Sequence, residues 1–245
     1  MCFGSDASTC PNDNLYRIIG VFDNEIKLIK STNYGDYAWD DGRAAVATSN
    51  VSSVKRQIFL KENGILAAPE MPVGGNIWSS SSIRIKLNTT YMNTFNSTWQ
   101  NKIVTHTWKV GGMEFNDTYT AKQYYNVEIG SSSNSTTDSI KIGLMYVSDY
   151  GFAVSNSYWT TALYNYDSAL NSNWLYLGLD EWTIARVSSH SYYVFSVNSA
   201  GNISGNNYDN SSVAGSLAVR PVFYLTSSTT YVSGSGTGSD PIRIN

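Results

Sequence analysis

Residues 15–22, Leu-Tyr-Arg-Ile-Ile-Gly-Val-Phe, are mostly β-branched, apolar or aromatic, and residues 26–30, Ile-Lys-Leu-Ile-Lys, follow as a return strand with lysines between apolar positions. Asp23-Asn24 between them is turn chemistry, so the pair predicts a hairpin. Ile83, Leu87, Tyr91 and Phe95 recur every four residues behind Ser80-Ser81. That spacing predicts a helix over 80–96 with a serine cap. Residues 99–104 read as an extension of this helical region. Short strands are predicted at 108–110, 140–146, 181–186, 192–198, 202–206 and 217–225, and one helical turn at 148–151.

Three stretches lack a period. Residues 43–77 read as an excursion from the core domain, with 54–60 open to strand or helix before Gly64, Pro69, Pro72, Gly74 and Gly75 break the chain. Residues 130–138 predict a solvated loop, and 155–173 a long polar and aromatic loop with little regular structure. No repeat and no βαβ alternation is present. The pattern is α+β: one domain over 1–245 of short antiparallel strands, one or two helices and a high loop content.

Composition narrows the function classes. The 245 residues carry only 14% charged side chains, against about 25% in ordinary soluble domains. The polar remainder is neutral: 24 Asn, 35 Ser and 20 Thr, with 18 Tyr and 7 Trp. Such a Ser/Thr/Asn/Tyr-rich surface suggests an extracellular or cell-surface protein. The net charge is −3 without a basic cluster, which argues against nucleic acid. No apolar run is long enough to insert in a membrane. The opening, Met1-Cys2-Phe3-Gly4-Ser5-Asp6, does not read as a secretory leader. Cys2 and Cys10 are the only cysteines. A short-loop disulfide is the first reading and two free thiols the second. Seven Asn-x-Ser/Thr triplets, at Asn50, Asn88, Asn96, Asn116, Asn134, Asn202 and Asn210, stand against about five expected by chance, so they reflect composition.

The C-terminal third holds three ordered motifs. These are Glu181-Trp182-Thr183-Ile184-Ala185-Arg186, then Val197-Asn198-Ser199-Ala200-Gly201-Asn202, then Val219-Arg220-Pro221-Val222-Phe223-Tyr224-Leu225. In this order they resemble an uncharacterised domain family of bacterial cell-surface proteins. Trp78-Ser79-Ser80 with Leu87-Asn88 and Tyr91, Ile142-Gly143-Leu144 with Ser148-Asp149-Tyr150-Gly151, and the closing 236–241 with Ile244 resemble earlier and later motifs of the same family. The resemblance covers most of the chain except 43–77 and 155–173. It implies a C-type-lectin-like fold, related to formylglycine-generating, sulfatase-modifying domains. On physical grounds, Pro221 sets the strand after Arg220 at an edge or a bend. Gly201 reads as a positive-φ hairpin residue, and Trp182 as core before ligand platform.

The resemblance does not carry its relatives' chemistry. Formylglycine-generating enzymes use cysteines as copper ligands and catalytic thiols, and this chain has none after Cys10. The Glu-Pro-Asn, Gln-Pro-Asp and Trp-Asn-Asp motifs of calcium-dependent lectins are absent. Asn33, Asp36, Asp40 and Asp41 could supply calcium oxygens or simply form a turn. His106 reads as a satisfied, partly buried histidine. Ser189-His190 invites a nucleophile–base pair, but chain neighbours seldom face each other, and no orienting acid is marked. Glu128, Asp180 and Glu181 form no recognisable carboxylate pair. Gly74-Gly75 and Gly111-Gly112 lack the helix and lysine of a phosphate loop. No cofactor is expected.

The leading expectation is a non-catalytic adhesin or receptor-binding module for an extracellular protein or glycan. Its ligand surface would comprise Arg186, Ser189, His190, Tyr192, Tyr193, Asn198, Asn202, Asn206, Asn207, Tyr208 and Asn210. Tyr with Asn and Ser is a contact-rich, adaptable mixture. It is also the outcome expected of retroelements that mutate adenines in the C-terminal segment of some C-type-lectin-like proteins. The alternatives are a structural subunit of a surface fibre or pilus, favoured by broad exposed aromatic patches, and a polysaccharide hydrolase.

Overall fold

Cβ alternation and pairing partners, rather than long helices, organise the chain. The computed structural model describes residues 1–40, 75–130, 134–205 and 213–245. Residues 43–74 of the expected excursion lie outside the described residues. Strands β1 (Tyr16–Phe22), β2 (Glu25–Lys30) and β3 (Gly35–Ala38) open the chain, and β4 (His106–Lys109), β5 (Thr137–Ile140) and β6 (Ile142–Gly143) occupy its middle. The C-terminal part carries β7 (Glu181–Arg186), β8 (Val194–Val197), β9 (Ile203–Ser204), β10 (Ser216–Val219), β11 (Val222–Leu225), β12 (Tyr231–Ser233) and β13 (Arg243–Ile244). Helices are short: α1 (Ser82–Lys86), α2 (Ser97–Gln100), α3 (Ala121–Tyr125) and α4 (Val147–Phe152).

Two sheets frame a continuous core. One is antiparallel with order β1-β2-β11-β6; the other has order β3-β10-β7-β8-β9, in which only β10 and β7 run parallel. The ribbons β4-β5 and β12-β13 complete the strands. This is an α+β architecture. The expected hairpin forms β1 and β2, and its turn residues Asp23 (φ 51°) and Asn24 (φ 65°) take the left-handed pair that a two-residue hairpin requires.

The predicted 80–96 helix is a single helical segment of changing pitch. A 3₁₀ turn at Trp78–Ser80 leads into α1, then a π turn at Leu87–Tyr91 and a 3₁₀ turn at Met92–Thr94. Ser81 caps α1 by accepting from the Arg84 N–H. A repeat of four overshoots the 3.6-residue α turn, and the wider π turn restores the alignment. Ile83, Leu87, Tyr91 and Phe95 are all buried. Asn88 then ties this segment to β6, donating to the Ile142 carbonyl and accepting its N–H.

Two apolar runs break where one strand was expected. In 140–146, Ile140 pairs with β4 whereas Ile142 and Gly143 pair with β11. In 217–225, β10 and β11 belong to different sheets, and Arg220-Pro221 carries the chain between them. Pro221 therefore marks a bend, and neither flanking strand is an edge. Buried Arg220 makes a bidentate pair with Glu181 at 2.6 Å per contact, and also donates to the Leu175 carbonyl. Burial pushes the Glu181 carboxyl up, and the guanidinium opposes that shift.

The remaining loops are more ordered than their composition suggests. Residues 155–173 contain 3₁₀ turns at Asn156–Tyr158, Leu163–Asn165 and Asp167–Ser172, which bury Leu163, Tyr166 and Ala169. Within the expected solvated loop, Asn134 is buried, donating to the Glu128 carbonyl and accepting the Gly111 N–H. Trp182 is fully buried and donates to the Tyr37 carbonyl. Gly201 has φ +82°, and a Cβ there would fall 1.8 Å from the Leu170 side chain. Cys2 and Cys10 form a disulfide. Among the described residues no helix is long and apolar enough to cross a membrane.

Candidate functional site

The expected C-terminal surface divides along β8. The β7–β8 connection, 187–193, lies at one end of that strand. Asn76, itself buried, donates its amide to the carbonyls of Val187, His190 and Tyr193, while its backbone N–H reaches the Ser191 carbonyl. Ser189, His190 and Tyr192 are exposed on this pinned loop, and Arg186 at its start is half-buried.

Three predicted ligand residues make structural contacts. Tyr193 is buried, with its ring against Tyr192 and His190. Asn198 and Asn202 lie at the opposite end of β8. Asn198 accepts the N–H groups of Ala200 and Asn202, and Asn202 accepts those of Tyr166 and Asp167. Both shape the hairpin and its support, because an Asn side chain satisfies local backbone donors as readily as a ligand. Asn206, Asn207, Tyr208 and Asn210 lie outside the described residues.

The other candidate groups can be placed in the same way. Ser189 and His190 do meet, with Oγ and Nδ1 2.9 Å apart. Glu114 accepts from Ser188, and hydrogen bonds from Ser188 and Ser189 hold its carboxyl below the usual range. The carboxylate thus sits on the serine side, not behind the imidazole where a nucleophile–base–acid relay needs it. Asn33 donates to Asp36 and accepts from Gly35 and Val219 N–H groups, while Asp40 accepts from Gly75 and Ser82. The contacts to Asp36 and Gly35 close a local turn, and those from Val219, Gly75 and Ser82 tie these side chains to distant segments; Asp41 lies outside the described residues. Among the described residues no three His, Cys, Asp or Glu side chains gather around a metal-sized space.

A deep concave site lies elsewhere, against the β1-β2-β11-β6 sheet. In β2, Lys27 stands opposite Tyr224 of β11. Its ammonium is buried and meets Asp149 of α4 at 2.5 Å. Four rings surround it, those of Phe22, Trp108, Tyr146 and Tyr224, at 4.6–5.7 Å. A buried ion pair is no proof of stability, but here it makes the floor polar and formally neutral. His106 of β4 stacks on Tyr224 with 3.7 Å between centroids, and its Nδ1 meets Glu25 at 3.0 Å. His106 is therefore satisfied and partly buried, as expected, although it also lines this cleft.

Aromatic walls rise from this floor. Phe22 comes from the β1–β2 tip and Tyr125 from the end of α3. Trp159 packs edge-on against Phe152, at 5.2 Å, and the Trp174 backbone N–H donates to the Ala153 carbonyl. Phe22, Tyr125, Trp159 and Trp174 are 42%, 41%, 44% and 37% exposed, and all four line one cleft of about 830 Å³. None of the described C-terminal loop residues lines it. An open apolar concavity with a few converging polar groups has the character of a small-molecule site. Its residues are scattered over two hundred positions, so no local spacing in the sequence announces it.

No protein-family model, curated protein or solved structure matches the chain.

Proposed function

We propose that this chain is a non-catalytic, extracellular ligand-binding module of C-type-lectin-like fold, and that the aromatic cleft is its principal ligand seat. One observation carries the reading: four large, substantially exposed aromatic side chains from separate elements converge on a single cleft over a charge-neutral floor. Exposed rings scattered over the surface would need no explanation; their convergence does. The disulfide supports an oxidising, extracellular setting. The turn at Gly201 and the sheet-to-sheet bend at Arg220-Pro221 give physical roles to the motifs behind the lectin-like resemblance. The 187–193 loop is a second contact surface for an extracellular protein or glycan, favoured by the Asn76 pin beneath exposed Ser189, His190 and Tyr192.

A fibre subunit would use the same aromatics to bind its own copies. Sedimentation velocity over a concentration series, combined with acrylamide quenching of tryptophan fluorescence, separates the two readings. The quenching attributable to Trp159 and Trp174 is obtained by difference from the Trp159→Phe/Trp174→Phe variant. The binding-module reading expects a single monomeric species whose Trp159 and Trp174 stay open to acrylamide throughout. Polymers that shield these two rings would replace it with the structural-subunit reading.

A further inference from the structure

We infer that the cleft takes an uncharged oligosaccharide, its sugar faces stacked on the rings of Trp159 and Trp174 and its hydroxyls directed at Asp149, Tyr224 and His106. This assignment rests on the cleft being the ligand seat and adds the class of ligand.

Three features of the cleft select that class. First, the wall rings are open rather than sealed, so flat faces are available to a guest that is itself flat and carries C–H bonds. Second, polar atoms at the cleft are left over by the fold. Asp149 uses Oδ2 for both Lys27 and the Tyr146 N–H, leaving Oδ1 without a protein partner among the described residues. His106 uses Nδ1 for Glu25 and leaves Nε2. The Tyr224 hydroxyl also lacks a partner among the described residues, yet is not one of the sealed, unsatisfied polar atoms of the core. Together these offer a carboxylate acceptor and groups able to donate, and sugar hydroxyls require both. An acyl chain or an apolar side chain would cover these atoms and leave them unpaired, which is costly. Third, the formal charges that line the cleft, Lys27 and Lys109 against Asp149 and Asp23, balance. Lys27 is paired with Asp149, and the Lys109 ammonium, held by the Asn134 carbonyl, is offset by the Asp23 carboxylate that lines the same cleft. The floor rings of Tyr146 and Tyr224 are already taken up by the Lys27 ammonium. The cleft therefore carries no net formal charge with which to select an anion or a cation.

The test is calorimetric and fluorimetric titration of the full chain with cellohexaose, xylohexaose, maltohexaose, mannohexaose and chitohexaose, with palmitate and benzyltrimethylammonium as contrasting probes. At least one hexasaccharide is expected to bind. Trp159→Ala and Trp174→Ala should each weaken that binding by about tenfold or more, and Tyr231→Ala, remote on β12, should leave it unchanged. Both tryptophans are well exposed, so the variants are expected to fold, which circular dichroism checks. If palmitate or the ammonium probe binds in a Trp159-dependent way and no hexasaccharide does, the saccharide assignment is overturned while the ligand seat stands. If no probe binds, the saccharide assignment is again overturned, and the sedimentation experiment decides the fate of the seat. Hexasaccharide binding that survives both tryptophan variants would move the site away from the cleft and overturn the assignment as well.

Discussion

Glu128 shows how a side chain with no place in the cleft still sets its geometry. Its buried carboxylate accepts the backbone N–H groups of Val147 and Ser148, at 2.9 and 3.0 Å, and the Ser148 hydroxyl, at 2.9 Å. These donors are the first residues of α4, the element that presents Asp149. Loss of hydration pushes the Glu128 carboxyl up to about 7, and the three donors limit that rise. The folded protein therefore holds a proton at Glu128 that the unfolded chain has already lost between about pH 4.5 and pH 7. Stability from this group is complete below that window and falls as pH rises through it, by about 3 kcal/mol in total. Urea unfolding of the native protein and of Glu128→Gln over pH 5–8 checks the sign. The variant should be less stable by about 1–3 kcal/mol at pH 5, because its amide must face a backbone donor. The gap should narrow towards pH 8. A gap that widens with pH would mean that the native carboxylate is stabilised, not penalised, by its surroundings.

The 187–193 loop shows the same dependence on distant support at the level of an element. Seven residues of Ser, His and Tyr character have no regular structure of their own, and Asn76, more than a hundred positions away, holds three of their carbonyls. Asn76→Ala should cost about 2–3 kcal/mol by leaving buried carbonyls unpaired. Asn76→Asp, nearly the same shape, should cost more, because it sets an acceptor against acceptors. Hydrogen exchange should show 187–193 losing protection in both variants while β8 keeps it. A loop equally protected in Asn76→Asp would show that it does not depend on the pin. Asn76 could not be singled out by pattern, since nothing local marks one Asn among 24. Elements whose partners are near in sequence were legible: the β1–β2 hairpin from its alternation and turn, and the 80–96 segment from its four-residue repeat. The runs 140–146 and 217–225 looked continuous because burial on both sides of Lys141, and of Arg220-Pro221, hides a change of sheet. Asn198 and Asn202 looked like display residues because turn-forming and ligand-facing asparagines have one composition. Phe22, Tyr125, Trp159 and Trp174 share no spacing, so the cleft becomes visible only when four segments are folded together.

At the scale of the whole molecule, residues 1–10 join the core to the C-terminal ribbon. Phe3 is fully buried among the rings of Tyr16, Phe95, Trp99 and Phe223, with centroids 4.9–5.8 Å away. The backbone N–H of Cys2 donates to the Ile242 carbonyl, and Arg243 of β13 donates to the carbonyls of Ser5 and Ser8 and to the Cys2 sulfur. The Cys2–Cys10 bridge thus closes a loop that holds Arg243 on one side while Phe3 anchors it on the other. So short a loop restricts the unfolded chain only modestly, and Cys2→Ser/Cys10→Ser should cost about 2–3 kcal/mol. Phe3→Ala, which empties a ring-lined site, should cost about 3–5 kcal/mol. Their effects should also differ in place. The serine variant should lose amide protection chiefly at 5–10 and in the β12–β13 ribbon, because Arg243 then grips a slack loop. The Phe3 variant should lower protection in β1 and β11 as well, since Tyr16 and Phe223 share its cavity. Denaturant unfolding with hydrogen exchange on both variants measures rank and location together. A serine variant that costs more than Phe3→Ala, or that loosens β11, would make the covalent bridge the principal anchor of this end of the molecule in place of the aromatic cluster.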